Sequence, residues 1–334
     1  MKIAITSDPV IPVPPVFYGG IERIIDLLIN ELTKQGHDIT LFAHSDSTVS
    51  CRLVPYPEKQ ESFKNALVIN KHLLSENFDI IHSFGRLAYL LPQMLRRTPI
   101  LMSYQREPTI RQIKKAMKIS LKGTLSFTGC SNYIAHQISP FAPSYTVYNG
   151  VDTNKYVPQY NVEENAPLVF LGRIESIKGP HTAIEIALAT GRPLILAGNL
   201  SENHTDYFDT QIRPFLNDQI SYIGPVNDHQ KNKLLGKSLA LLMPIHWDEP
   251  FGIVMIEAMA CGTPVMALKR GAVPEVVTDG VNGFAAETTE QLIGKVSLLP
   301  GIDRKQVRKT AETTFSSETI TNEYIKIYKR LICE

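Results

Sequence analysis

Glu249-Pro-Phe-Gly-Ile-Val-Met-Ile-Glu257, running straight into Ala258-Met-Ala-Cys-Gly-Thr-Pro264, is the stretch whose reading decides the fold. Pro250 disfavours helical geometry at Glu249, which places the first carboxylate at the mouth of a helix that Gly252 opens. Glu257 falls about one turn inside that helix, and its side chain leans back toward the start because Cα–Cβ bonds tilt that way. The unpaired N–H groups of a helix start favour an anion, phosphate above all. A ligand that offers phosphate to amides and hydroxyls to carboxylates is a nucleotide sugar. The plainer alternative is a buried helix made by Ile253, Val254, Ile256, Ala258, Met259 and Ala260, stopped by Gly262, with Pro264 opening the next strand. Glu249 would then be an exposed loop acid and Glu257 a paired surface group.

Outward from this stretch the chain alternates short β-branched runs with amphipathic ones. The runs predict strands at 2–6, 38–43, 80–83, 100–104, 124–130 and 145–148, then at 168–171, 194–197, 220–223, 239–243 and 264–267. Gly20–Gln35 carries Ile21, Ile24, Ile25, Leu28 and Leu32 at helical spacing, and 317–332 carries Ile320, Tyr324, Ile327, Tyr328 and Leu331 along one face. Strands alternating with helices predict parallel sheets covered on both faces, an α/β class. Asn149-Gly150 is a turn signal, and the polar stretch 158–167 precedes a fresh strand–helix series. The expected domains are therefore 1–152, 153–316 and a terminal helix over 317–334. Two doubly wound halves are expected to shape one ligand cleft with their strand carboxyl ends.

Bulk properties narrow the function. A length of 334 residues suits two domains, at roughly 100–200 residues each. A net charge of +1 gives no overall field for nucleic acid. Cys51, Cys130, Cys261 and Cys333 are scattered, with no metal-ligand spacing, so free thiols in a reducing compartment are expected. Residues 2–6 read as a strand rather than the apolar core of a signal peptide, and no apolar run approaches a membrane span. A cytoplasmic protein is expected.

Three further segments carry candidate chemistry. Gly19-Gly20 follows the first strand and opens a helix, a plausible phosphate contact, although paired glycines in a turn are more often structural. It is not the Gly-x-Gly-x-x-Gly of dinucleotide enzymes. In Leu171-Gly-Arg-Ile-Glu-Ser-Ile-Lys-Gly179, Arg173 and Lys178 are spaced to reach one diphosphate from a strand end and a helix start; the plain alternative is two solvated charges. In 223–231 the residues by themselves read as a strand followed by a helix capped at Asp228, which needs no ligand. Phe251, Gly252, Ile253 and Val254 are expected to present backbone amides, and His246 to line the site or sit as an ordinary loop histidine.

The run from Glu249 to Glu257 resembles the E-x7-E signature of retaining glycosyltransferases of family 4, which have the GT-B fold. Pro-Ile-His-Trp-Asp-Glu-Pro-Phe-Gly at 244–252 is similar to the avilamycin-type branch. Ala272–Val276 and Gly280–Phe284 complete that family's C-terminal signature, with Glu275 read as a structural acid. The resemblance spans nearly the whole chain and is more specific over 168–284 than in the first domain.

The resemblance implies transfer of a sugar, with retention, from a nucleoside-diphosphate donor, uridine preferred, to an acceptor hydroxyl in glycan, glycolipid or glycoconjugate synthesis. It implies that Arg173 and Lys178 grip the diphosphate, that Val226 and Lys231, in a segment similar to the family's, lie beside the base and phosphates, that Glu249 holds the donor sugar and Glu257 the ribose, and that no metal or cofactor is needed. It also implies a terminal helix that crosses back to the first domain. Gln105 stands where the family commonly has a histidine near the reacting sugar; glutamine still hydrogen-bonds a hydroxyl but does not titrate. Alternatives are a GT-B epimerase or phosphorylase, or an inactive nucleotide-sugar-binding scaffold.

The segment 96–122 sets Arg96, Arg97, Arg106, Arg111, Lys114, Lys115, Lys118 and Lys122 against the single acid Glu107. Ile110, Ile113, Met117 and Leu121 run through it as an apolar stripe. Peripheral contact with anionic lipid or an anionic acceptor is one reading; a helix packing its stripe on the sheet is the commoner one.

Overall fold

The computed structural model describes residues 1–15, 19–57 and 62–333. Val16, Phe17 and Tyr18 of the glycine loop lie outside the described residues. The chain divides into two compact units, Met1–Gly150 with Ser317–Glu334, and Val151–Ser316.

The first unit is built from β1 (Lys2–Thr6), α1 (Gly20–Lys34), β2 (Asp38–Ala43), β3 (Arg52–Pro55), α2 (Ser62–Ser75), β4 (Ile80–Ser83), β5 (Ile100–Tyr104), α3 (Ile110–Ile119), β6 (Leu125–Gly129), α4 (Asn132–Ile138) and β7 (Ser144–Thr146). Its seven strands are ordered β3-β2-β1-β4-β5-β6-β7 and every pair is parallel. α1 buries Ile24, Ile25, Leu28, Ile29 and Leu32, as its periodicity predicts. Each such side chain contributes about 1.5–3 kcal/mol by leaving water.

The second unit runs β8 (Leu168–Leu171), α5 (Pro180–Thr190), β9 (Leu194–Ala197), α6 (Thr205–Gln211), β10 (Ile220–Tyr222), α7 (Asp228–Lys237), β11 (Ala240–Met243), α8 (Ile253–Ala260), β12 (Val265–Leu268), α9 (Val273–Val276), β13 (Gly283–Ala286), α10 (Thr289–Lys295) and α11 (Arg304–Thr314). Its six strands, again all parallel, are ordered β10-β9-β8-β11-β12-β13. The winding direction reverses between β1 and β4 in one sheet and between β8 and β11 in the other. Such switch points are where doubly wound sheets bind ligands.

The chain ends in α12 (Ser317–Cys333), which packs on α1 in the first unit. Ile320, Tyr324, Ile327, Tyr328 and Leu331 are all buried. Tyr328 meets Nδ1 of the wholly buried His82 at 2.6 Å, and Ser103 meets its Nε2 at 2.7 Å.

Three sequence expectations change. β3 and β13 were not foreseen: Arg52–Pro55 ends on a proline, and Gly-Phe-Ala-Ala at 283–286 has no branched residue. The cap of α7 is Asn227 rather than Asp228, closed by a reciprocal bond with Gln230. In α3 the buried face is Ile113 and Ala116, while Leu121 lies beyond the helix and is exposed. Among the described residues no helix is long and apolar enough to cross a membrane.

Candidate functional site

The switch point of the second sheet gathers most of the candidate residues. The chain leaves β8 through Gly172 and Arg173 into a single turn that ends at Lys178, and it leaves β11 through 244–252 into α8. These two connections are locked together. The His246 N–H donates to the Ile177 carbonyl at 2.8 Å. Gly179 sits so close that an added Cβ would lie 1.9 Å from the Pro244 carbonyl oxygen, and its φ of +75° independently favours glycine. On the far side, the Ala272 N–H donates to the Glu249 carbonyl at 2.8 Å and the Gly271 N–H to Asp248 Oδ1 at 3.1 Å. The backbone of Glu249 is therefore held from two directions.

Lys178 Nζ donates to Glu249 Oε2 at 2.8 Å, with 19% and 13% of the two side chains exposed. The Trp247 indole N–H reaches the same oxygen at 3.0 Å, and the Lys178 ammonium lies 4.5 Å from the indole ring centroid. α8 starts at Gly252, whose φ is +85° and which, as glycine, brings no side chain to cap the first amides. A Cβ built on Gly252 would stand 3.4 Å from Glu249 Cγ, so this carboxylate lies against that helix start. Phe251 is buried, while Gly252, Ile253 and Val254 are half-buried. Cation, carboxylate and helix amides thus share one small region, which suits a ligand with both phosphate and hydroxyl groups.

Arg173 is turned to Glu175 at 2.6 Å and Lys178 to Glu249, so each sequence-predicted diphosphate cation is held by an acid. His246 is exposed; its Nε2 meets Thr182 Oγ1 at 2.8 Å and its ring stacks on His181 with centroids 5.1 Å apart. Burial, then the neighbouring His246, holds the His181 pKa below its ordinary value.

Glu257 has different partners. Its Oε1 accepts from Lys231 Nζ at 2.5 Å and from the Tyr156 hydroxyl at 2.7 Å, and it is buried. Burial, then the Glu257 carboxylate, pushes the Tyr156 pKa far above its ordinary value. Arg308 on α11 donates to the carbonyls of Tyr156 and Thr153 and to that of Ala260, tying the Tyr156 segment to the end of α8. Val226 is half-buried in the loop before α7, and Glu275 is half-buried in α9. Sequence reasoning missed Tyr156 entirely and gave Trp247 no role.

The remaining candidates belong to the first unit. Gly19 caps α1 and Gly20 is its first residue. Gln105 follows β5, and its Nε2 is buried without a hydrogen-bond partner among the described residues. Glu22, buried in the first turn of α1, has its pKa raised by burial. Among the described residues no three His, Cys, Asp or Glu side chains converge to hold a metal ion.

Residues 152–311 match the family model described as Glycosyl transferases group 1, and residues 18–155 match Glycosyltransferase Family 4. The chain is similar to spore coat protein SA of Bacillus subtilis, 24% identical over 99% of this chain and 100% of that one. Its fold is similar to that of AviGT4, a glycosyltransferase involved in avilamycin A biosynthesis, at a TM-score of 0.76 and 24% identity, covering 99% and 98% of the two chains. It is similar also to Anabaena HepE in complex with UDP-glucose, at a TM-score of 0.75 and 17% identity, covering 99% and 100%.

Proposed function

The chain belongs to the glycosyltransferases of GT-B fold, family 4 in its first unit and group 1 in its second, and from that premise we propose that it transfers a sugar, with retention, from a nucleoside-diphosphate sugar to an acceptor hydroxyl. The observation that carries the reading is the glycine start of α8 beside Lys178 and Glu249. As the glycosidic bond breaks, charge develops on the departing diphosphate. Lys178, Arg173 and the amides of Gly252, Ile253 and Val254 stabilise it, in the part a divalent cation plays elsewhere. Glu249 holds donor-sugar hydroxyls and so positions the anomeric carbon. Glu257, with Lys231 beside it, takes the ribose hydroxyls.

Uridine is the preferred base, a choice that the UDP-glucose held by HepE supports. The buried, unpartnered Nε2 of Gln105 supports a sugar or acceptor hydroxyl in the first unit, since a buried donor gains from any acceptor supplied to it. Melting-temperature shifts with UDP-, GDP- and ADP-glucose test the proposal. A native-state ligand at about 100 times its Kd adds about 2.7 kcal/mol of stability, and no shift with any of the three overturns the reading.

Peripheral contact with anionic lipid through 96–122 belongs to the same proposal. Leu95 is 67% exposed, and Ile119, Leu121 and Phe141 are exposed with it. The Leu121 N–H to Met94 carbonyl bond brings the two ends of the patch together, and Lys114 Nζ lies 4.1 Å from the Phe141 ring centroid. Exposed apolar side chains whose sequence neighbours are the exposed Arg96, Arg97, Lys118 and Lys122 suit an interface of acyl chains and anionic headgroups. Sedimentation with phosphatidylglycerol vesicles, but not with phosphatidylcholine vesicles, is the expected result, lost in the Leu95→Glu, Leu121→Glu double variant.

A further inference from the structure

We propose that Trp247, the single tryptophan of the chain, is a positioning residue that keeps Glu249 oriented while Lys178 passes from that carboxylate to the donor diphosphate. The inference rests on the donor-site reading above and assigns a role that the family signature does not contain.

The two oxygens of Glu249 are used unequally. Oε2 receives both the Lys178 ammonium, at 2.8 Å, and the Trp247 indole N–H, at 3.0 Å. Oε1 carries no hydrogen bond from the protein among the described residues, so it is the oxygen open to a sugar hydroxyl. The backbone on either side of Glu249 is already held, by the Gly271 and Ala272 amides and by the packing of Gly179 on Pro244. What remains adjustable is the carboxyl plane, and the two donors on Oε2 set it.

These donors respond differently to a diphosphate. Lys178 is a flexible cation, and a phosphate competes directly for it. The indole N–H is a neutral, donor-only group on a rigid ring with two torsions. It does not follow the cation. When Lys178 turns to phosphate, a carboxylate with 13% of its side chain exposed loses its counter-charge, and the Trp247 N–H is the contact on Oε2 that stays. Oε1 then still faces the sugar. In the same step Lys178 leaves the indole face, 4.5 Å away at the start, so the fluorescence of this one tryptophan reports the transfer.

Trp247→Phe keeps an aromatic face and removes only the N–H, which makes it the discriminating variant. The probes are UDP and UDP-glucose, or the GDP or ADP pair if that nucleotide gives the largest melting shift. Binding is followed by calorimetry, and turnover by release of nucleotide from the nucleotide sugar in water. The variant is expected to bind UDP within about threefold of wild type, because UDP has no sugar for Glu249 to hold. Turnover of the nucleotide sugar is expected to fall at least about tenfold. In a Glu249→Ala background, Trp247→Phe is expected to change turnover by less than about twofold, since the residue acts through that carboxylate. Wild-type fluorescence is expected to change on UDP binding. Unchanged turnover in Trp247→Phe, or a full further loss in the Glu249→Ala background, overturns the proposal while leaving the donor site intact. If no nucleotide or nucleotide sugar binds the wild type, the donor reading fails and this role fails with it.

Discussion

Lys231 Nζ lies 2.5 Å from Glu257 Oε1, with 10% and 11% of the two side chains exposed. A pair this buried is tolerated only as a pair, because either charge left alone is desolvated without compensation. Lys231→Ala leaves Glu257 with the Tyr156 hydroxyl, whereas Glu257→Ala leaves Lys231 with the exposed Asp228, 3.2 Å away. The lysine variant is therefore expected to lose more stability, about 3 kcal/mol. The double variant Lys231→Met, Glu257→Leu is expected to lose less than the sum of its parts. Urea unfolding followed by Trp247 fluorescence, a probe inside the second unit, measures this.

Lys178→Ala removes the flexible cation of the site without touching the backbone that holds Glu249. Turnover of the preferred donor is expected to fall by about 10²–10³, with the melting temperature changed by only a few degrees. Steady-state kinetics beside a thermal melt separates that outcome from misfolding.

His82 gives the first unit a pH dependence. Burial depresses its pKa from 6.5 to about 3, and both ring nitrogens are engaged with Tyr328 and Ser103. Above pH 6.5 the imidazole is neutral in both folded and unfolded chains and contributes no slope. Between pH 6.5 and 3 the unfolded chain takes up a proton that the folded one refuses, so stability falls as pH falls, by up to about 1.4 kcal/mol per pH unit. His82→Asn keeps a hydrogen-bonding side chain but cannot titrate. From pH 6.5 to 4.5, the wild type is expected to lose about 2–3 kcal/mol more than this variant, measured by urea unfolding with far-ultraviolet circular dichroism.

Arg304 is a buried anchor of the second unit. Its guanidinium donates to the Gln159, Ser238 and Gly236 carbonyls and to Thr263 Oγ1 at 2.7–3.0 Å. Burial lowers its pKa to about 10, still high enough to stay charged. A lysine ammonium cannot reproduce that planar fan of donors. Arg304→Lys is expected to cost about 2–4 kcal/mol, read as a lower urea midpoint of the second unit.

The strand–helix alternation, the parallel class and most element boundaries were legible because buried parallel strands are dense in branched residues. Val169, Leu196 and Leu241 announce themselves in that way. β13 did not, because Gly283 and two alanines fill a crowded place: a Cβ on Gly283 would stand 1.9 Å from the Val265 carbonyl oxygen. The sequence put Glu249 at a helix start and Lys178 within reach of the same ligand, and the structure brings these two side chains together. Other partners in the site were less legible. Tyr156 lies 101 positions from Glu257, in a segment with no periodicity, and it is held there by Arg308 on α11 and by Asn232 on α7, which bonds the residues on either side of it. Trp247 is two residues from Glu249, yet whether its N–H reaches that carboxylate depends on how the loop after β11 turns, which spacing does not encode.

The return of α12 to the first sheet bears on how the protein is made. A ribosome delivers β1 to β7 early, but the tyrosines that meet His82 and Ser103 follow only after the whole second unit. The second unit is contiguous and can close while it is still tethered. Until α12 emerges, the part of the first unit that Ile320, Ile327 and Leu331 pack against has no cover from this helix.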